Sequence, residues 1–159
     1  MEKVESLLER AQSVVGFIQF VGLTVILSLQ ILMRFVVHKP LLWSEEVARF
    51  LLFWLVLNGA ALAVKRSRNF MIELFDVEAI KHPLLKGVLQ SIPLLGTLSV
   101  GVLMVVYGSV YMYYGSFRVV PISRINMLYV YLALPLSGLC IVVYSLGQAR
   151  VLIQALRSR

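Results

Sequence analysis

Two adjacent carboxylates, Glu45 and Glu46, stand at the start of a long apolar run, FLLFWLVLNGAALAV. Ser44 precedes them, and Arg49 follows Glu45 by four residues. Serine is a favoured helix N-cap, first-turn carboxylates complement the helix dipole, and an acid four residues before a base is a favourable pair. The spacing therefore predicts a capped helix start, and it leaves open whether these charges also meet a partner.

Residues that bind metals or perform acid–base catalysis are few and scattered. The chain has two histidines, His38 and His82, and one cysteine, Cys140. The segment between the histidines is apolar and long enough to place them on opposite sides of a membrane, so they are not expected to share a metal. No charged residue or histidine lies deep in an apolar run, where ion pathways and proton relays normally place such groups. We therefore expect no enzyme, no cofactor and no metal in this chain.

Uncharged polar residues of the first apolar run form a row rather than a scatter. The row consists of Gln12, Gly16, Gln19 and Gln30. Their spacing puts them on one stripe of a helix. An amide that faced lipid would lack hydrogen-bond partners. The stripe is therefore expected to face protein, either within this chain or on another subunit.

Small residues mark two further packing positions. Near the end of the second apolar run, Asn58 precedes Gly59, and Gly59 and Ala63 form a small-xxx-small pair that lets another backbone approach closely. In the third run, a glycine recurs every seven residues, at Gly101, Gly108 and Gly115. That repeat predicts a groove along one helix face.

The elements that position these residues are predicted to be membrane helices. Of the 159 residues, 60% are hydrophobic, against about 45–50% in a typical soluble domain. A span needs about 20 apolar residues, and four runs qualify, at 11–33, 47–64, 87–114 and 127–149. We predict an all-α integral membrane protein, a single domain over 1–159 with four transmembrane helices. Short interfacial helices are expected at 1–10 and 70–78, a cap at Asn126, and a bend at Pro135.

Basic residues predict the orientation of the chain. Of the 15 Lys and Arg, ten lie on the side of the two termini and the middle loop, and five on the other. The positive-inside rule then places both termini in the cytoplasm. Lys65, Arg66 and Arg68, which follow the second run, are interpreted as topology signals or contacts to lipid headgroups. The net charge of +7 is attributed to this role rather than to nucleic acid.

The segment Trp43-Ser-Glu-Glu-Val-Ala-Arg49 resembles the W-x-E-E-x-A-R motif of DctQ-type proteins. These are the small membrane subunits of tripartite ATP-independent periplasmic (TRAP) transporters. The resemblance covers nearly the whole chain and extends to Arg34-Phe35, Gly59-Ala60, Ala63-Val-Lys-Arg66 and Ala133-Leu-Pro135. One departure is Asn69, which stands where the family often has histidine in the central loop, although the nearby acid is kept as Glu73.

The resemblance implies a non-catalytic scaffold, or stator, subunit in the bacterial inner membrane. Its implied partners are lipid, a large membrane subunit that moves substrate and sodium ions, and a periplasmic binding protein that delivers a small organic acid. The resemblance does not fix which acid, since family members serve C4-dicarboxylates, sialic acids and others. Candidate contacts to these partners are Trp43, Ser44, Glu45, Glu46 and Arg49. Candidate packing positions for the large subunit are Gln12, Gly16, Gln19, Gln30, Asn58, Gly59 and Ala63.

Two other classes of function compete with this hypothesis. A self-assembling four-span channel or carrier would form a homo-oligomer with a pore lined by Gln12, Gln19 and Gln30, and it would move solute alone. A membrane enzyme would need a bound cofactor or a polar cavity. The nature of the partners recovered with the chain discriminates between them.

Overall fold

The chain folds almost entirely into helices. A computed structural model describes the backbone of residues 2–38, 41–74 and 83–157, and the side chains of 5–38, 41–66 and 92–150. In this part of the chain the helices are α1 (Glu2–Leu32), α2 (Leu42–Leu74), α3 (Pro83–Gly115), α4 (Met127–Tyr131) and α5 (Ala133–Arg157). A π-helical turn, Met33–Val37, extends α1. The predicted all-α fold class is confirmed.

Within the described ranges, four stretches are long and apolar enough to cross a membrane. They are Glu5–Val37, Leu42–Arg66, Ile92–Gly115 and Met127–Arg150. Each one coincides with a run predicted from the sequence, and the fourth consists of α4 and α5 together. The predicted number of spans is confirmed, whereas their bounds in the membrane and the cytoplasmic location of the termini stay predictions.

Helix α1 is longer than the hydrocarbon layer is thick. Its 31 residues span about 46 Å at 1.5 Å per residue, against about 30 Å of hydrocarbon. The predicted interfacial segment 1–10 is helical from Glu2, the first described residue, and it continues into the span without a break. The second interfacial segment, 70–78, is described only to Leu74, where α2 ends, and His82 lies outside the described residues.

The start of the fourth span follows the local sequence signals. The Asn126 side chain accepts a hydrogen bond from the Leu128 amide at 2.9 Å, so the predicted cap is confirmed. The helix is interrupted at Leu132, between α4 and α5. Pro135 explains the break, because it offers no N–H to the preceding turn and its ring crowds the carbonyl four residues earlier. Pro93, in contrast, lies inside α3, which continues through it.

The long helices lie side by side in the order α1, α2, α5, α3. Among the described residues, α1 packs along α2, α2 along α5, and α5 along α3. A closed four-helix bundle would also require α1 to pack along α3, and no such packing occurs in the described part of the chain. The arrangement is therefore an open row, in which α5 is the most enclosed helix and α1 the most exposed.

The contact between α3 and α5 is made through glycine. A Cβ built on Gly108 would lie 2.8 Å from the Cβ of Leu134, and one on Gly101 would lie 2.9 Å from a methyl group of Val142. From the other side, a Cβ on Gly138 would lie 2.9 Å from the Gly101 carbonyl oxygen. The seven-residue glycine repeat therefore forms the predicted groove, in which Gly101 and Gly108 face α5 and Gly115 faces Tyr131 of α4.

Candidate functional site

The end of the molecule that carries residues 38, 41–46 and 116–131 is called the loop end. Here the prediction that Ser44 caps α2 is wrong. The helix begins at Leu42, two residues earlier, and the Ser44 hydroxyl donates to the Leu41 carbonyl oxygen at 2.6 Å instead of accepting from a backbone amide. Ser44 is fully buried, so its small size and its hydrogen bond to the preceding turn determine its place.

The two carboxylates of the loop end have different partners. Glu45 pairs with Arg49 at 3.0 Å, as predicted, and both side chains are about two-thirds exposed. Glu46 accepts a hydrogen bond from the backbone amide of Ser123 at 2.8 Å. The first carboxylate is therefore part of a local surface pair, whereas the second connects α2 to the segment before α4.

That segment, 116–126, is held by several hydrogen bonds. The Asn126 side-chain amide donates to the Ser116 carbonyl oxygen at 3.0 Å, and the Arg124 amide donates to the Val120 carbonyl oxygen at 3.1 Å. Arg124 has a left-handed backbone with φ of 53°, and Val120 is buried. Glu46 therefore fixes a folded loop rather than a free strand of chain. Trp43, three residues before Glu46 in the sequence, is substantially exposed. Its role as a partner contact stays a prediction.

The opposite end, which carries residues 5–12, 58–66 and 144–148, is called the terminal end. Three side chains, those of Gln12, Asn58 and Tyr144, meet there between α1, α2 and α5. The Asn58 amide donates to the Gln12 carbonyl oxygen at 2.9 Å, and the Tyr144 hydroxyl donates to the Gln12 side-chain oxygen at 2.6 Å. Gly16 permits this approach, because a Cβ there would lie 3.4 Å from the Asn58 amide nitrogen.

The amide stripe is thus largely enclosed by this chain. Gln12 and Gly16 contact Asn58 directly, and Gln19 is buried, which agrees with the alternative that the stripe faces protein within the chain. Gln30 is partly exposed. Gly59 and Ala63 lie on an exposed face of α2, and a Cβ on Gly59 would meet nothing within 4 Å. These two positions remain open for packing against another protein.

Lys65 has partners within the chain, whereas its interpretation as a topology signal or lipid contact stays a prediction. Its ammonium group forms an ion pair with Glu9 at 2.8 Å and donates to the Glu5 carbonyl oxygen at 2.9 Å. The Lys65 side chain is only 21% exposed. The sequence carried a signal for this ion pair. Glu5 and Glu9 lie four residues apart, on one face of α1, just before the amide stripe begins at Gln12. Arg66 is exposed, and Arg68 and Asn69 lie outside the described side chains.

The chemistry available at both ends is hydrogen bonding and ion pairing. Among the described residues, no group of three or more His, Cys, Asp or Glu side chains is placed to hold a metal ion. Cys140 is half-buried within α5 and is not in a disulfide. These contacts join helices to one another and to the loop between α3 and α4.

The sequence matches the family model "Tripartite ATP-independent periplasmic transporters, DctQ component" over residues 23–155. This range covers most of the chain and contains the loop end, the glycine groove and most of the terminal end. The chain therefore belongs to the DctQ family of TRAP transporter components, as the W-x-E-E-x-A-R segment indicated. It is a multi-pass membrane protein with four helices able to span the bilayer.

Two curated relatives are similar to parts of the chain. The sialic acid TRAP transporter small permease protein SiaQ of Vibrio cholerae is 30% identical over 76 residues, which is 48% of this chain and 44% of that protein. The sialic acid TRAP transporter permease protein SiaT of Haemophilus influenzae is 39% identical over 54 residues, 34% of this chain and 9% of that protein. The matched segments therefore span less than half the length of either relative.

Proposed function

We propose that the chain is the small, non-catalytic scaffold subunit of a sodium-coupled TRAP importer of a small organic acid. The observation that carries the scaffold role is the open row of helices α1, α2, α5 and α3. A row of this kind encloses no path of its own between its helices, and it offers apolar surface along which a larger membrane protein can pack.

The polar groups inside the spans support the same proposal. Gln12 and Asn58 are engaged with each other and with Tyr144, and Gln19 is buried, so these amides are not available to line a pore. The exposed surface of α1 is instead strongly apolar, with Phe17 68% exposed. Surface of this kind is stable only against lipid or another membrane protein. Two of the three glutamines that would line the alternative channel, Gln12 and Gln19, are thus engaged or buried within the chain, which favours the scaffold.

The proposed main partner is a large membrane subunit. In the Haemophilus influenzae permease the matching segment is 9% of the protein, so a segment similar to this chain occurs within a much longer transporter polypeptide. Gly59 and Ala63, exposed on α2, offer the close backbone approach that favours helix association in lipid. A periplasmic binding protein and the lipid of the inner membrane complete the proposed assembly.

Sialic acid is the first candidate for the substrate, because both relatives are named as sialic acid transporter proteins. In the proposal, the large subunit and the binding protein recognise this acid. The small subunit contributes a fixed surface in the membrane and does not contact the substrate. A change of substrate would then leave the role of this chain unaltered.

The experiment that tests the scaffold role is recovery of the tagged chain from native membranes in mild detergent, with co-purified proteins identified by mass. We expect a stoichiometric, much larger polytopic membrane protein. Leucine at Gly59 and Ala63 should reduce that recovery several-fold. Leucine at Gly96 is the matched control, since Gly96 is equally open, with nothing within 4 Å of an added Cβ.

Two other outcomes would change the proposal in different ways. Recovery of the chain alone, as a homo-oligomer that moves solute in vesicles, would overturn the scaffold role in favour of the channel. Sodium-dependent uptake of a C4-dicarboxylate by the reconstituted complex, without uptake of sialic acid, would reassign the substrate and leave the scaffold role in place. Uptake at a rate independent of the sodium gradient would contradict the proposed sodium coupling.

A further inference from the structure

Charged and polar groups from three helices meet at the terminal end in what is called the terminal cluster. It consists of Glu5, Glu9, Lys65, Tyr144 and Gly147. Lys65 lies at the end of the second span, where a lysine side chain usually extends toward water and lipid headgroups. Here it turns instead toward α1, to the Glu9 carboxylate at 2.8 Å and the Glu5 carbonyl oxygen at 2.9 Å.

The surroundings of Lys65 are built for an ammonium group. Its nitrogen lies 5.5 Å from the ring centroid of Tyr144, a distance at which an aromatic face attracts a cation. Tyr144 is almost fully buried, with 2% exposure, and its hydroxyl is fixed by Gln12. The lysine side chain is therefore bounded by a carboxylate, a carbonyl oxygen and an aromatic ring on two other helices.

Helix α1 needs an anchor of this kind. It packs on α2, and it meets α5 at the terminal end through the Gln12–Tyr144 hydrogen bond. There the Glu5 carboxylate lies against Gly147, where the missing side chain leaves room for it. Gln148 of α5 in turn donates to the Val64 carbonyl oxygen of α2 at 2.8 Å. The first turns of α1 are thus held by both neighbouring helices.

We infer that Lys65 is a positioning residue that docks the charged first turns of α1 onto α2 and α5. This segment then belongs to the rigid helical unit and is not a helix that lies on the lipid surface. The cluster sets the orientation of α1, the helix that exposes the most apolar surface of the row. The inference rests on the contacts within the chain and does not depend on the proposed transporter role.

The test is spin-label mobility at residue 7 in the full-length chain in lipid vesicles. Leu7 is 73% exposed, so a nitroxide on Leu7→Cys projects from the surface of α1. Cys140→Ala removes the native thiol and is present in every variant compared. Lys65→Met keeps an unbranched side chain of similar length and removes its charge. We expect about a two-fold or greater shortening of the label's rotational correlation time. Arg66→Met, the loss of a neighbouring but exposed charge, should leave it unchanged.

A charge exchange separates positioning from general destabilisation. Lys65→Glu alone should free the label, and Lys65→Glu combined with Glu9→Lys should restore most of its immobilisation. Where a Lys65 variant fails to fold, Glu9→Gln provides the same loss of the ion pair. Equal mobility in the Lys65→Met and Arg66→Met proteins would overturn the inference.

Discussion

The two outer helix pairs of the row, α1 with α2 and α3 with α5, are held together by different means. Helices α3 and α5 approach through Gly101, Gly108 and Gly138, where backbone and side-chain atoms occupy the space that a Cβ would need. Helices α1 and α2 are joined by polar contacts, chiefly those of Asn58 with Gln12 and of Lys65 with Glu9. Lipid offers little hydrophobic drive for helix association, so membrane helices associate by close packing or by interhelical hydrogen bonds. This chain uses close packing between α3 and α5 and polar contacts between α1 and α2.

The difference predicts different sensitivities. A glycine contact depends on volume, and the atoms that crowd it belong partly to rigid backbone. A polar contact depends on the identity of a few atoms, and side chains around it can relax. Substitutions that add volume should therefore damage the α3–α5 contact most, whereas substitutions that remove one polar atom should damage the α1 contacts.

The largest expected effect comes from Gly138→Val. Its side chain would collide with the Gly101 carbonyl oxygen and the Val105 amide, each 2.9 Å from the added Cβ, and neither atom can move without shifting a helix. Overpacking of this kind costs about 1–3 kcal/mol or more. Denaturation in mixed detergent micelles, followed by circular dichroism, would measure the loss.

Gly96→Val is the control for that substitution. Gly96 lies on α3 with nothing within 4 Å of an added Cβ, so the intrinsic change from glycine to valine in a helix is the same but the collision is absent. Equal loss of stability in both variants would show that the α3–α5 contact does not depend on glycine.

An intermediate effect is expected from Tyr144→Phe. The variant keeps the buried ring and removes the hydroxyl that donates to the Gln12 side-chain oxygen. Interhelical hydrogen bonds in membranes contribute about 0.6–2 kcal/mol, and we expect a loss of about 1 kcal/mol with greater mobility of α1. Tyr107→Phe, at an exposed position, is the control. A loss that appears equally in both variants would contradict the assignment.

The smallest expected effects distinguish the two carboxylates at the loop end. Glu46→Ala removes the acceptor for the Ser123 amide and should cost about 0.5–1 kcal/mol, a typical net value for one hydrogen bond. Glu45→Ala removes an exposed pair with Arg49 and should cost about 0.3–0.5 kcal/mol. Only Glu45 lies in the first turn of α2, so the total stability change in each variant also contains a different helix-dipole contribution, and the contact to the loop needs a direct readout.

Hydrogen exchange at the Ser123 amide gives the sharper readout for this pair. Exchange should accelerate in Glu46→Ala and stay unchanged in Glu45→Ala. High salt should reduce the effect of Glu45→Ala, because it screens an exposed ion pair. Unchanged exchange at Ser123 in Glu46→Ala would show that the loop is held without this carboxylate.

The features that the sequence determined by itself are local ones. Apolar runs fixed the four spans, Asn126 fixed a helix start, and the spacing of Glu45 and Arg49 fixed an ion pair. Each of these depends on atoms within one or two helical turns, so residue type and periodicity suffice to predict them. The exception is Ser44, because a helix boundary shifted by two residues converted the expected cap into a buried hydroxyl within the first turn.

The tertiary structure decided which residues become partners. Lys65 and Glu5 are 60 residues apart, Glu46 and Ser123 are 77 apart, and Gln12 and Tyr144 are 132 apart. Periodicity shows which face of a helix is polar, but not which helix lies opposite that face or how it is rotated. Those relations follow from the order α1, α2, α5, α3, which results from packing among all the helices together. The sequence therefore predicted that the amide stripe would face protein, and only the packed chain determined that the protein is its own second and last helices.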